Sequence, residues 1–210
     1  MTNLNIHFRN AEIDELCEGI VMEYEGEAYG TRPIDIVGIA VKYFKLKILF
    51  AHIVEHDPNK LSFLANGVTP LRVLHNGAVQ SVIFPSKTII LDFVLKKQQE
   101  QCRRCFCIAH ELFHQIEAQL TGTPVVAAFH TEFDRERTYT IDELSNIMNI
   151  RECQADRGAA ALLMPEMLVK KTYMRYTNNK VIPIYGSNVF LSEDKIVLQD
   201  IASFLGVSLT

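Results

Sequence analysis

RRCFCIAHELFH, Arg103–His114, is the stretch on which the reading of this chain turns. Around it, from about Phe93 to Leu120, glycine and proline vanish, while Phe106, Ile108, Ala109, Leu112, Phe113 and Ile116 recur at helical intervals. The spacing predicts a long, largely buried helix. Such a helix sets His110 and His114 about 40° apart around its axis and about 6 Å along it, so both imidazoles reach one metal ion. Glu111, between them, cannot ligate the same ion and stays free to move a proton.

A zinc ion that catalyses hydrolysis takes three protein ligands and keeps a fourth position open. A third donor must therefore come from elsewhere, and Glu152, 38 residues after His114, is the candidate. Asp156 follows one turn later on the same face, placed to hydrogen-bond a ligating imidazole and fix its tautomer. An ExxxD spacing alone is common and weak. It gains weight after HExxH and before the Ala-rich run that Pro165 closes. Thr140 with Glu143 forms a capping box for a helix running through Ile147 to Leu163.

Composition sets outer limits. The chain has 210 residues, 48% hydrophobic and 22% charged, with ten glycines and seven prolines, a globular profile. A formal charge of −4 weakens a direct nucleic-acid reading. Five scattered cysteines do not make a disulfide scaffold and fit a reducing compartment. The first residues lack the basic-then-apolar pattern of a secretory signal, and no apolar run approaches the roughly 18 residues of a membrane span. A cytoplasmic protein that makes no use of membrane is expected.

Outside the central stretch, residues 10–24 read as an amphipathic helix whose acidic side faces solvent or a basic partner; residues 1–30 hold seven acidic residues and one arginine. A second helix is expected to start near Pro33 and run to Tyr43. LKILFA, SVIFP and TIILD read as three strands, the last two separated by a Ser86-Lys87 turn, with another turn at Asp57-Pro58-Asn59. Residues 121–139 show no periodicity and are expected to be irregular. Pro183, Gly186 and Asn188 mark a loop, and Ser192-Glu193-Asp194 opens a last helix.

Two rival motifs need weighing. HIVEH, His52–His56, has the inverted order of another zinc-peptidase class, yet it follows a predicted strand and meets Asp57-Pro58, leaving no room for a ligand-bearing helix. CRRCFC, Cys102–Cys107, suggests thiolate ligands but lies on the HELFH helix with no second cysteine pair downstream, so ordinary buried or half-buried thiols are expected.

These motifs together resemble the ImmA/IrrE family of metallopeptidases, which joins an R-F-T-L-A-H-E-L-G-H helix to a downstream E-x-E-A-N-x-F-A-x-x-L-L-M-P helix. The chain reads RRCFCIAHELFH and then ECQADRGAAALLMP, Glu152–Pro165; Ala155 and Leu162–Pro165 match directly. The resemblance spans most of residues 10–165, and FLGVSLT at the end is similar to a late family segment. It implies a compact α+β, zincin-like domain over residues 1–165, with a small sheet and two metal-bearing helices, and a helical extension over 166–210 packed on it. It also implies zinc held by His110, His114 and Glu152, with Glu111 as general base. Asp156 replaces the family's usual asparagine, and in three further places the chain departs from the pattern. Phe113 stands where the family has a glycine, Gly158 where it has an aromatic and Gln154 where it has a glutamate; the first two exchanges compensate if the bulky residue fills the space the other leaves.

The implied activity is hydrolysis of a peptide bond in a helix-turn-helix transcriptional repressor. The competing reading is a zinc-stabilised interaction module that controls a repressor without cutting it; a zinc hydrolase of small amides is a third. His130, Tyr139 and Tyr176 are candidates for the donor that stabilises the oxyanion.

Overall fold

The computed structural model describes residues 8–55, 60–125, 129–131, 138, 140–141, 150–186 and 189–209. Six strands form a mixed sheet: β1 (Lys47–Ile53), β2 (Lys60–Ala65), β3 (Pro70–His75), β4 (Ala78–Ile83), β5 (Thr88–Asp92) and β6 (Phe129–Thr131). Their order is β4-β3-β1-β5-β2-β6, with β1 and β5 parallel and every other pair antiparallel.

Three of these strands, β1, β4 and β5, overlap the segments expected from the sequence. In β2, KLSFLA, five of six positions are buried, so the polar alternation that signals a strand is absent. Pro70 opens β3 and argues against a strand there, although a first position tolerates it. The Asn76-Gly77 pair between β3 and β4 was the overlooked signal: both residues have positive φ, 50° and 78°, as the tight hairpin turn demands. β6 lies within the stretch expected to be irregular. SVIFP and TIILD contribute to β4 and β5, which are separated in the sheet by β3 and β1.

Helix α1 spans Asn10–Glu25 and buries Ile13, Cys17 and Val21. The second helix starts later than Pro33: Asp35 Oδ1 accepts from the Gly38 N–H at 2.8 Å and starts α2 (Ile36–Gly38), which runs into a π turn, Ile39–Tyr43. Helix α3 spans Gln101–Thr121, so its start also needs correction. Two 3₁₀ turns, Phe93–Lys96 and Gln98–Glu100, precede it. Asp92 favours the break, since its Oδ1 accepts from the Val94 N–H and its Oδ2 from the Ile53 N–H, both at 2.8 Å. Helix α4 spans Ile150–Leu163; Glu143 of the expected capping box lies outside the described residues. After Pro165 come α5 (Glu166–Thr177), which the sequence reading did not delimit, and α6 (Ser192–Leu205).

The helices cover one face of the sheet. Their shared core joins Ile13 and Val21 of α1, Ile89 and Leu91 of β5, Leu112 and Ile116 of α3, Leu162 of α4, Leu168 of α5 and Leu205 of α6. The strand alternation sends Phe63 and Ile90 to the opposite face, where Leu71 and Val73 of β3 meet them. Among the described residues no helix is long and apolar enough to cross a membrane.

Candidate metal centre

Helices α3 and α4 bring His110, His114 and Glu152 together, with their ligand atoms all within 4.8 Å of one another. His110 Nε2 lies 3.1 Å from His114 Nε2 and 3.2 Å from Glu152 Oε2, and His114 Nε2 lies 3.4 Å from Glu152 Oε1. Tetrahedral coordination with bonds of about 2.0–2.1 Å gives ligand-to-ligand edges of about 3.3–3.4 Å. The His110–His114 and His110–Glu152 Oε2 separations are near those edges, while the His114 contact is to the other carboxylate oxygen. Both Glu152 oxygens are buried and face the two imidazole nitrogens, so a cation taken up among the three groups would meet a buried carboxylate already turned toward it. The donor set, two imidazoles and a carboxylate, suits zinc. Residues and geometry therefore fit a metal ion.

Around this triad, Asp156 Oδ1 sits 2.9 Å from His110 Nδ1. An Nδ1–H donated to that carboxylate leaves Nε2 with its lone pair aimed at the cluster. Removing the acceptor with Asp156→Ala is expected to lower zinc affinity about 10–100-fold, whereas Asp156→Asn, which keeps an acceptor oxygen, retains most of it. Competition against a chromophoric chelator measures both.

Glu111 is fully buried between the two histidines. Its Oε1 accepts from Ser62 Oγ at 2.7 Å, while Oε2 is buried without a partner. Burial pushes its carboxyl up from the ordinary value, opposed by the nearby imidazoles and by Ser62. Ser62 escaped the sequence reading because β2 did. A serine within an apolar run, facing a catalytic-type helix, was the only hint.

Helix α4 is held on two sides. On one, Arg157 pairs with Asp14 of α1, Gln154 Nε2 donates to the Phe8 carbonyl at 3.1 Å, and Cys17 Sγ lies 3.7 Å from the Gly158 carbonyl oxygen. On the other, Arg151 meets the buried Glu117 of α3 at 3.3 Å. These contacts bracket Glu152 and fix its height against His114. Gln154, a departure from the resembled pattern, thus ties α4 to the chain leading into α1.

Proton occupancy follows from the same contacts. Burial disfavours an imidazolium at His110, but the Asp156 and Glu152 carboxylates outweigh it and raise its pKa to about 10. Burial likewise disfavours a charged Glu152, and the two imidazoles outweigh that, holding its carboxyl well below the usual range. In the metal-free protein His110 therefore carries an extra proton up to about pH 10, above the ordinary value near 6.5. A metal must displace that proton. Zinc affinity is expected to rise about tenfold per pH unit between roughly pH 7 and 9, with about one proton released per ion. Calorimetry in buffers of different ionisation enthalpy counts the proton; a pH-independent affinity over that window would sink the assignment.

The other candidates fall elsewhere. His52 lies in β1 with its ring 4.5 Å from that of Phe93, so HIVEH does not sit on a helix; His56 is outside the described residues. CRRCFC forms no metal-ligating group among the described residues, and none of the five cysteines forms a disulfide. Tyr176 packs against Phe204, ring centroids 5.9 Å apart. The side chain of His130 and all of Tyr139 lie outside the described residues.

No family model matches this sequence, and no curated protein matches it. What stands is the buried His110-Glu111-x-x-His114 segment with Glu152, which resembles an HExxH-plus-glutamate zinc-binding motif and is compatible with a metalloenzyme active site.

Proposed function

We propose that the chain is a zinc-dependent endopeptidase of the ImmA/IrrE type that hydrolyses a peptide bond in a helix-turn-helix repressor inside the cell. One observation carries the hydrolytic part: a buried carboxylate, Glu111, lies beside a three-ligand cluster with one oxygen held by Ser62 and the other unpartnered. The chemistry a bound zinc supplies is Lewis acidity, which makes a water more acidic and polarises a carbonyl.

The chain's residues do the rest. Glu111 accepts the water proton at Oε2 and returns it to the leaving amine. Ser62 keeps Oε1 occupied, so the carboxylate cannot rotate freely between the two tasks. Asp156 holds the His110 tautomer, and the Glu117–Arg151 pair holds the turn that bears Glu152. The repressor as substrate rests on the resemblance of the two motif helices.

A second reading has its own support. His110, Glu111, His114 and Glu152 are all buried, as they are in structural zinc sites. On that reading the chain binds a repressor through a zinc-stabilised surface and leaves it whole. Incubating the zinc-loaded chain with a candidate repressor and measuring intact masses separates the two. New fragments that appear with the wild type and not with Glu111→Gln support hydrolysis; binding without fragments, equal in both proteins, replaces it with the module.

A further inference from the structure

We infer that the open edge of β1 is a docking site for an extended acidic peptide segment of a partner protein, away from the metal centre. Odd-numbered residues of β1 turn their backbone groups toward β5: the Lys47 N–H donates to the Lys87 carbonyl at 2.9 Å, and the Ile53 N–H to Asp92 Oδ2 at 2.8 Å. Even-numbered residues turn the other way. There His52 pairs with Leu74 of β3, and the Val54 N–H donates to the Arg72 carbonyl at 2.9 Å. β3 pairs with β1 at His52 and Ile53 alone. The backbone groups of Ile48 and Phe50 therefore face no strand among the described residues.

A cavity of about 540 Å³ runs along this gap, lined by residues 46–50 in succession and walled by α2 and α3. Its wall is apolar: Val37 and Val41, 45% and 40% exposed, stand opposite Ile108. An extended chain bonded to Ile48 and Phe50 would turn every second side chain into that wall. The remaining side chains would lie on the face of the sheet that carries Lys47.

Charge selects the occupant. Lys47 lies on the face that the acidic side chains would take, Arg104 of α3 stands on the wall side, Lys96 Nζ sits 5.8 Å from the Phe50 ring centroid, and among the described residues no carboxylate lines the cavity. This cationic rim stands out in a chain of net charge −4. Edge lysines oppose pairing with a second copy, because two such rims would meet. They favour a strand that alternates apolar and acidic residues.

The test uses the full chain and an acetylated Val-Glu-Val-Glu-Val-Glu peptide, with amide hydrogen exchange read by NMR. Saturating peptide is expected to slow exchange at Ile48 and Phe50 by about tenfold or more, the mark of main-chain bonding to an edge. A Val-Lys repeat is expected to bind about tenfold more weakly or worse, since like charges would face one another. Methylating the peptide's bonding amides should abolish the protection, and Val41→Asp should weaken binding of the Glu peptide. Unchanged exchange at both amides, equal binding of the Glu and Lys repeats, or peptide-free protection that grows with protein concentration would each overturn the proposal. The last outcome would make a second copy the occupant. The peptide comparisons on the wild-type chain stand even if Val41→Asp fails to fold.

Discussion

Glu111→Gln is expected to retain stoichiometric zinc and to lower peptide hydrolysis by about 10²–10⁴-fold, the range a positioned general base supplies. Glu111 is not among the three clustered ligand residues, so its charge is not needed to hold the ion. Gln keeps the shape and an oxygen for the Ser62 hydroxyl at 2.7 Å, but replaces the unpartnered Oε2 with an amide that cannot take a proton. Burial disfavours the charged carboxylate, and the neutral amide removes that penalty, so the loss of turnover is expected without a large fall in melting temperature. Burial already lifts the Glu111 carboxyl toward the pH at which a base works best, and the variant removes that titration altogether. Zinc content by mass spectrometry and turnover of the cleaved protein check the two halves separately. Turnover within tenfold of wild type, with zinc bound, would remove Glu111 from the chemistry.

The centre was legible in the sequence because helical geometry is rigid. Once a helix passes through His110 and His114, their spacing is set, and the identity of Glu111 between them follows. Glu152 and Asp156 were legible for the same reason, as two positions one turn apart on a second helix. The sheet was harder to read. β2 is buried on both faces and shows no polar alternation, β3 alternates only over Leu71–Val73 behind an opening proline, and Ser62, the hydrogen-bond partner of Glu111, is hidden with β2. Chain order could not reveal that β3 overlaps β1 at two residues and leaves its first half without a strand on that side among the described residues, because register is a tertiary property. The start of α3 was displaced for a subtler reason. Phe93–Lys96 has helical composition, but the Asp92 side chain satisfies the backbone of a short turn instead.

The exchange of bulk between α3 and α4 carries the largest stability effect. A Cβ built on Gly158 would lie 2.0 Å from Phe113 Cδ2 and 2.2 Å from Cγ, inside the ring of a side chain only 1% exposed. An alanine in mid-helix gains about 0.5–1 kcal/mol over glycine, but overpacking a filled core costs typically about 1–3 kcal/mol and the ring has no free space to enter. The clash wins. Gly158→Ala is expected to destabilise the fold by about 1–2 kcal/mol, and to weaken zinc binding, because pushing the helices apart moves Glu152 away from His110 and His114. Phe113→Ala alone should cost about 3–5 kcal/mol through the cavity it leaves. Made together, the added methyl enters the vacated space, so the double variant should be more stable than the sum of the two singles by roughly 1–3 kcal/mol. Denaturant unfolding of the four proteins measures that coupling. If the two changes add within about 0.5 kcal/mol, the residues do not share one packing site and the glycine at 158 has another cause.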